Sequence, residues 1–80
     1  MDPVILITGA SRGIGAATAL LAAEKGYAVA VNYASNAQAA EKIVTQIRTQ
    51  GGTAIAIQAD VADESQVQAM FQKVDAELGP

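Results

Sequence analysis

Three short apolar runs, each followed by a longer segment of helical pattern, constrain this chain more than any other feature. The first run, Val4 to Thr8, is "VILIT", a continuous stretch of β-branched residues and leucine that predicts a strand buried on both faces. Next comes "IGAATALLAAEK", Ile14 to Lys25, whose alanine and leucine content predicts a helix with Gly26 as its C-cap. "YAVAVNY", Tyr27 to Tyr33, is the second run. In the segment after it, Ser35 and Gln38 have the spacing of a capping box, so Ser35 is the expected N-cap, and Ala40, Ile43, Val44 and Ile47 recur at helical intervals up to Gly51-Gly52. Thr53 to Asp60, "TAIAIQAD", predicts the third strand. Asp63 and Gln66 repeat the box, and Val67, Met70, Phe71, Val74 and Leu78 form a helical stripe that stops at Gly79-Pro80.

Strands and helices alternating at these lengths imply an α/β fold: a parallel sheet with right-handed crossovers in the order β-α-β-α-β-α. Eighty residues allow one domain at most. A chain of this size buries only about 60% or a little more of its unfolded surface, so marginal stability is expected. The net charge of −3 argues against nucleic acid as a partner. No apolar run approaches the roughly 18 residues of a membrane span, and "MDPVILITG" lacks a basic leader, so a soluble cytoplasmic protein with no membrane partner is expected. Without cysteine there is no disulfide framework, and without histidine the commonest metal ligand and general base is missing, so no metal site is expected.

Between the first strand and the first helix lies "TGASRGIG", with three glycines in eight residues. In an open parallel sheet, ligands bind at the carboxyl ends of the strands. Glycine there permits a tight turn and lets a ligand reach the backbone without meeting a Cβ, while the N–H groups opening the helix favour an anion. The pattern reads as a phosphate or pyrophosphate cradle; the plainer reading is a turn that merely needs glycine. Gly9, Gly13 and Gly15 give G-x-x-x-G-x-G, distinct from G-x-G-x-x-G. A nucleotide-triphosphate P-loop is excluded because Ala16-Ala17, not Lys-Ser/Thr, follows Gly15.

"TGASRGIG" after a buried strand resembles the glycine motif TGxxxGxG of the short-chain dehydrogenase/reductase family. "VAVNYASN" after strand two and "QADVAD" after strand three look like family segments too, so the resemblance covers all 80 residues. Within the family it is nearest the β-ketoacyl-carrier-protein reductase and glucose dehydrogenase-like branch. The resemblance implies the N-terminal half of a Rossmann-type doubly wound sheet with strand order 3-2-1, a partial NAD(P)-binding domain over residues 1–80. It implies binding of a dinucleotide cofactor by Gly9, Ser11, Arg12, Gly13, Ile14 and Gly15. Asp60 would bond the adenine amino group and Val61 would pack on the ring.

An NAD site usually places a carboxylate at the end of strand two, on the ribose hydroxyls. Here that position is Asn32, followed by Tyr33, Ala34, Ser35 and Asn36, and no carboxylate occurs between Glu24 and Glu41. Nothing would repel a 2′-phosphate, Arg12 adds a cation whose fork suits phosphate, and Ser35 offers a hydroxyl. NADP(H) is therefore expected in preference to NAD(H). Each residue also has a plainer role: Arg12 as a solvated charge, Ser35 as a cap, Asn32 as a strand end, Asp60 as a turn former.

The family's hydride transfer, on a small carbonyl or alcohol substrate, uses Tyr-x-x-x-Lys. Tyr27 is followed four residues on by Val31, and Tyr33 by Ala37, so no catalytic residue is expected in this chain. The expectation is a fragment of an NADP(H)-dependent reductase, inactive alone; the alternative is a non-catalytic nucleotide-binding or regulatory module. A receiver-like signalling domain also alternates strands and helices, but needs acidic residues where this chain has Thr8-Gly9. With strand one at the sheet edge and free of charge, self-association into a homo-oligomer is expected.

Overall fold

The computed structural model describes residues 3–8 and 13–79. Its order is β1 (Val4–Ile7), α1 (Gly13–Glu24), β2 (Ala28–Tyr33), α2 (Ala37–Thr49), β3 (Ala54–Gln58) and α3 (Glu64–Leu78). The strands form one parallel sheet in the order β1-β2-β3. Pairing runs from Val4↔Ala28 to Ile7↔Val31 on one side of β2, and from Val29↔Ala54 to Tyr33↔Gln58 on the other. The α/β half-sheet expected from the alternation is present, with β2 central and β1 at an edge.

Side chains leave a strand to alternate faces, and the two faces are filled by different helices. Val29, Val31 and Ala54 face α1 and α2, where Ala19, Ala22, Ala40, Ile43, Val44 and Ile47 close over them. Ala30, Ile57 and Ala59 face α3, where Met70 and Val74 are buried and Val67 and Leu78 pack at the margin with Val4 and Leu6. Phe71, expected in the α3 stripe, stands 51% exposed. It sits one position past Met70, which the helix turns onto the sheet.

The helix ends are built on glycine in the left-handed region. After α1, Gly26 has φ +95, its N–H donates to Ala23 O, and the Tyr27 N–H donates to Ala22 O. After α2, Gly51 has φ +89, with Gly51 N–H to Arg48 O and Gly52 N–H to Ile47 O. Both are the paired closure that satisfies the last carbonyls of a helix.

Several boundaries differ from the expected ones. Thr8 is an exposed turn residue beyond the last β1 pair, and α1 opens one residue earlier than the alanine-rich pattern suggests. The third strand stops at Gln58 because its pairing with β2 ends there; Ala59 and Asp60 already turn toward α3. Ser35 is not the cap of α2. Asn36 is, its Oδ1 accepting from the Ala39 N–H at 3.0 Å. Ser and Asn are both strong caps, so adjacent candidates are decided by which oxygen the backbone brings to the third N–H. Asp63 does cap α3, accepting from Ser65 and Gln66 N–H. The box is modified, though: Gln66 Nε2 donates to Asp63 Oδ2, while its Oε1 accepts from the Asp60 N–H at 2.9 Å.

Candidate functional site

Because the strands are parallel, all their carboxyl ends lie along one edge of the sheet, and the loops that leave them share it. The glycine-rich junction leaves β1, the Tyr33–Asn36 segment leaves β2, and the Ala59–Asp63 turn leaves β3. The candidate residues that are described, Gly13, Ile14, Gly15, Asn32, Tyr33, Ser35, Asp60 and Val61, lie at or beside these junctions. Gly9, Ser11 and Arg12 lie outside the described residues. Gly13, Ile14 and Gly15 form the first turn of α1.

Gly13 has φ +62, a conformation costly for residues with a side chain. A Cβ placed on it would meet no heavy atom of the described residues within 4 Å. The first turn carries no acidic side chain, which leaves the positive end of the helix uncompensated there. Ile14 is 86% exposed. On the turn after β3, Val61 is 56% exposed. Large apolar side chains this exposed offer surface for a flat, apolar group. A positive-φ glycine at a helix N-terminus, together with apolar surface at the same sheet edge, fits a dinucleotide.

Asp60 is exposed and already organises its turn. Its Oδ1 accepts from the Ala62 N–H at 2.9 Å, and its carbonyl accepts from the Asp63 N–H at 2.9 Å. The turn-forming role is thus real, and the carboxylate still faces outward. Tyr33, the last residue of β2, is half-buried and packs on the α1/α2 side. Ser35 is exposed in the loop, and its hydroxyl is not spent on capping α2.

Asn32 takes a different role from the one its sequence position suggests. It is 3% exposed, the one buried polar side chain among the described residues. Its Nδ2 donates to Ile57 O at 3.2 Å and to Ala59 O at 3.3 Å. Both partners are carbonyls, which only accept, so the amide nitrogen must be the atom facing them. The side chain is directed into the sheet and not toward a ribose outside it.

Sequence reasoning missed Gln58, whose Nε2 donates to Ala34 O at 3.1 Å, and the reach of Gln66 back to Asp60. The available signal for Gln58 was a long amide closing an otherwise apolar strand. Among the described residues no group of His, Cys, Asp and Glu could hold a metal, and no helix is long and apolar enough to cross a membrane.

Residues 3–80 match the sequence model of the family described as short chain dehydrogenase. The chain is 54% identical over 72 residues to the uncharacterized oxidoreductase YgfF of Escherichia coli, covering 90% of this chain and 29% of that protein. It is 51% identical over 79 residues to the 3-oxoacyl-[acyl-carrier-protein] reductase FabG of Staphylococcus aureus, covering 99% of this chain and 32% of that one. Among solved structures, a short chain dehydrogenase from Burkholderia cenocepacia in complex with NADP superposes with a TM-score of 0.91 at 42% identity, over 98% of this chain and 31% of that chain. The chain therefore spans about a third of the length of these relatives.

Proposed function

The chain belongs to the short chain dehydrogenase family, and from that premise we propose that it is the adenosine-side part of an NADP(H)-dependent oxidoreductase that interconverts a small carbonyl compound and its alcohol. The observation that carries the proposal is Gly13: a positive-φ glycine opening a helix at the carboxyl edge, with no heavy atom of the described residues within 4 Å of where a Cβ would stand. Gly9, Gly13 and Gly15 would admit the pyrophosphate to the backbone. Exposed Ile14 and Val61 would border the adenosine, and the outward carboxylate of Asp60 would accept from the adenine amino group through Oδ2.

The choice of NADP(H) rests on charge. Tyr33, Ala34, Ser35 and Asn36 form an uncharged rim after β2, in a stretch free of carboxylates from Lys25 to Ala40. Ser35 would offer its hydroxyl to a 2′-phosphate and Arg12 its guanidinium. The bound cofactor supplies the hydride. These residues would bind and orient its adenosine end; a tyrosine followed four residues on by lysine, the pattern that would move the substrate proton, does not occur in the 80 residues. We place the protein in the cytoplasm, as a homo-oligomer. The Staphylococcus relative's name supports a keto group as the target chemistry, without assigning this chain a substrate.

Titration of the chain with NADPH and NADH tests the reading. Tighter binding of NADPH is expected; equal or reversed affinities overturn the cofactor choice, and no binding of either overturns the dinucleotide site. Ser35→Asp puts a carboxylate on the rim without disturbing the Asn36 cap. Two unit charges about 4 Å apart interact by roughly 1–4 kcal/mol at a surface, so NADPH affinity should fall about tenfold or more while NADH is spared. In a longer reading frame, Asn-Asn-Ala-Gly and Tyr-x-x-x-Lys downstream of Pro80 would support reductase chemistry; their absence would leave a nucleotide-binding module.

A further inference from the structure

We propose that Asn32 is a positioning residue: from inside the sheet it braces the Ala59–Ala62 turn, and so holds Asp60 and Val61 where the site needs them. The inference rests on the dinucleotide reading for its functional consequence and on geometry for the brace itself.

The β2–β3 pairing ends at Tyr33↔Gln58, after a last backbone bond from Ala59 N–H to Tyr33 O at 3.0 Å. The Ala59 carbonyl therefore lies past the final register pair, yet Ala59 is buried. A buried carbonyl without a partner is destabilising, so the chain leaving β3 needs a donor at this point. Asn32 supplies it. One amide hydrogen goes to Ile57 O, inside the strand, and the other to Ala59 O, beyond it. The side chain thus extends the sheet's bonding past its backbone ladder and sets the direction in which β3 ends.

The next link starts at Asp60. Its N–H donates to Gln66 Oε1, and Gln66 Nε2 donates to Asp63 Oδ2, the cap of α3. A continuous path runs from buried Asn32 through Ala59 and Asp60 to Gln66 and Asp63. The turn carrying Asp60 and Val61 is held at both ends, from the sheet by Asn32 and from α3 by Gln66. Gln58 Nε2 to Ala34 O ties the neighbouring β2 loop to the same strand end. Neither Asn32 nor Gln66 need touch a ligand to affect one.

The test uses the isotope-labelled 80-residue chain, with amide hydrogen exchange as one readout and titration with adenosine 2′,5′-bisphosphate as the other. Asn32→Val removes both donors and keeps a strand former; Gln66→Met removes the other end of the brace at an exposed site that leaves the core untouched. Both variants are expected to lose protection selectively at Asp60 and Ala62, Asn32→Val also at Ala59, while Val29 and Val31 keep theirs. Affinity for the bisphosphate should fall about tenfold in each, the scale of one or two lost hydrogen bonds. Asn32→Thr, which keeps one donor, should recover part of both losses. Should Asn32→Val unfold, Gln66→Met decides. Unchanged protection at Asp60 in Gln66→Met, or a loss spread evenly over Val29, Val31 and Asp60 in every folded variant, overturns the brace. Selective loss of protection with unchanged affinity overturns its role in positioning. If the unsubstituted chain binds neither the bisphosphate nor NADPH, the dinucleotide reading and the positioning role fall together, while the exchange pattern still decides the brace.

Discussion

The two faces of the sheet are covered differently. On one, α1 and α2 pack against each other as well as against the strands, and Ile47, Val44, Val29 and Val31 are sealed between them. On the other, α3 lies alone, burying Met70 and Val74 over Ala30, Ile57 and Ala59 and leaving Phe71 half in water. A helix with a neighbouring helix buries more than one side of itself; a solitary helix buries a stripe. In compensation, the α3 face carries the polar fastening: the Asn32 amide, the Asp63 cap and the Gln66 bridge all lie on the path from β3 into α3. Among the described residues, the α1/α2 face has one side-chain bond from helix to strand, Arg48 Nε to Ala54 O at 3.1 Å, beside its larger apolar area; the α3 face relies on the chain of polar contacts that leads from the sheet into its helix.

Substitutions of decreasing severity can break or sharpen this contrast. The largest effect is expected from Ile47→Ala, which opens a cavity at a fully buried position and should cost about 3–5 kcal/mol, near the top of the range for aliphatic truncation. In a chain of this size that removes most of the folded population, visible as loss of the cooperative transition in chemical denaturation. Met70→Ala, under the solitary helix, should cost about 2–3 kcal/mol because α3 can settle into the space. A loss equal to that of Ile47→Ala would mean the two faces are equally rigid. Asp63→Ala removes the cap of α3 and should cost about 1 kcal/mol, read as a lower denaturation midpoint with unchanged slope. Phe71→Ser should change stability by no more than about 0.5 kcal/mol, as for an exposed side chain away from special features. A larger drop, together with loss of an oligomeric species in light scattering, would show that the exposed ring is covered by another copy.

Much of the fold was legible because it depends on local pattern. The α2 positions Ala40, Ile43, Val44 and Ile47 were read from helical spacing, and all four are buried. Gly26 and Gly51 announced helix ends, and both take the left-handed conformation that such ends require. The helix α1 was legible as a helix but not as an oriented one. It is apolar around its circumference, so nothing in "ATALLAAE" says that Ala19 and Ala22 are buried while Leu21 is half exposed. Gly52 hides a different kind of reason: a Cβ there would come within 2.8 Å of Ile47 Cγ2, a constraint set by the helix folding back on its own exit.

The alternation of apolar runs with helical segments determined the class, the parallel strands and the edge at which Gly13, Asp60 and Val61 are found. These follow from backbone periodicity and from short connections, both written into neighbouring residues. Tertiary structure decided what the polar side chains do. Asn32 at a strand end reads as a ligand contact because strand ends face ligands, but its amide turns toward two carbonyls brought beside it by β3, more than 20 residues later in the chain. Ser35 and Asn36 are equally good caps by composition, and the folded backbone brings Asn36 Oδ1, not the Ser35 hydroxyl, to the Ala39 N–H. Hydrogen bonds are short and directional, so a partner's identity depends on atoms placed within about 3 Å by the whole fold. Burial periodicity is local and survives in the sequence; the partner of a polar group is not local and does not.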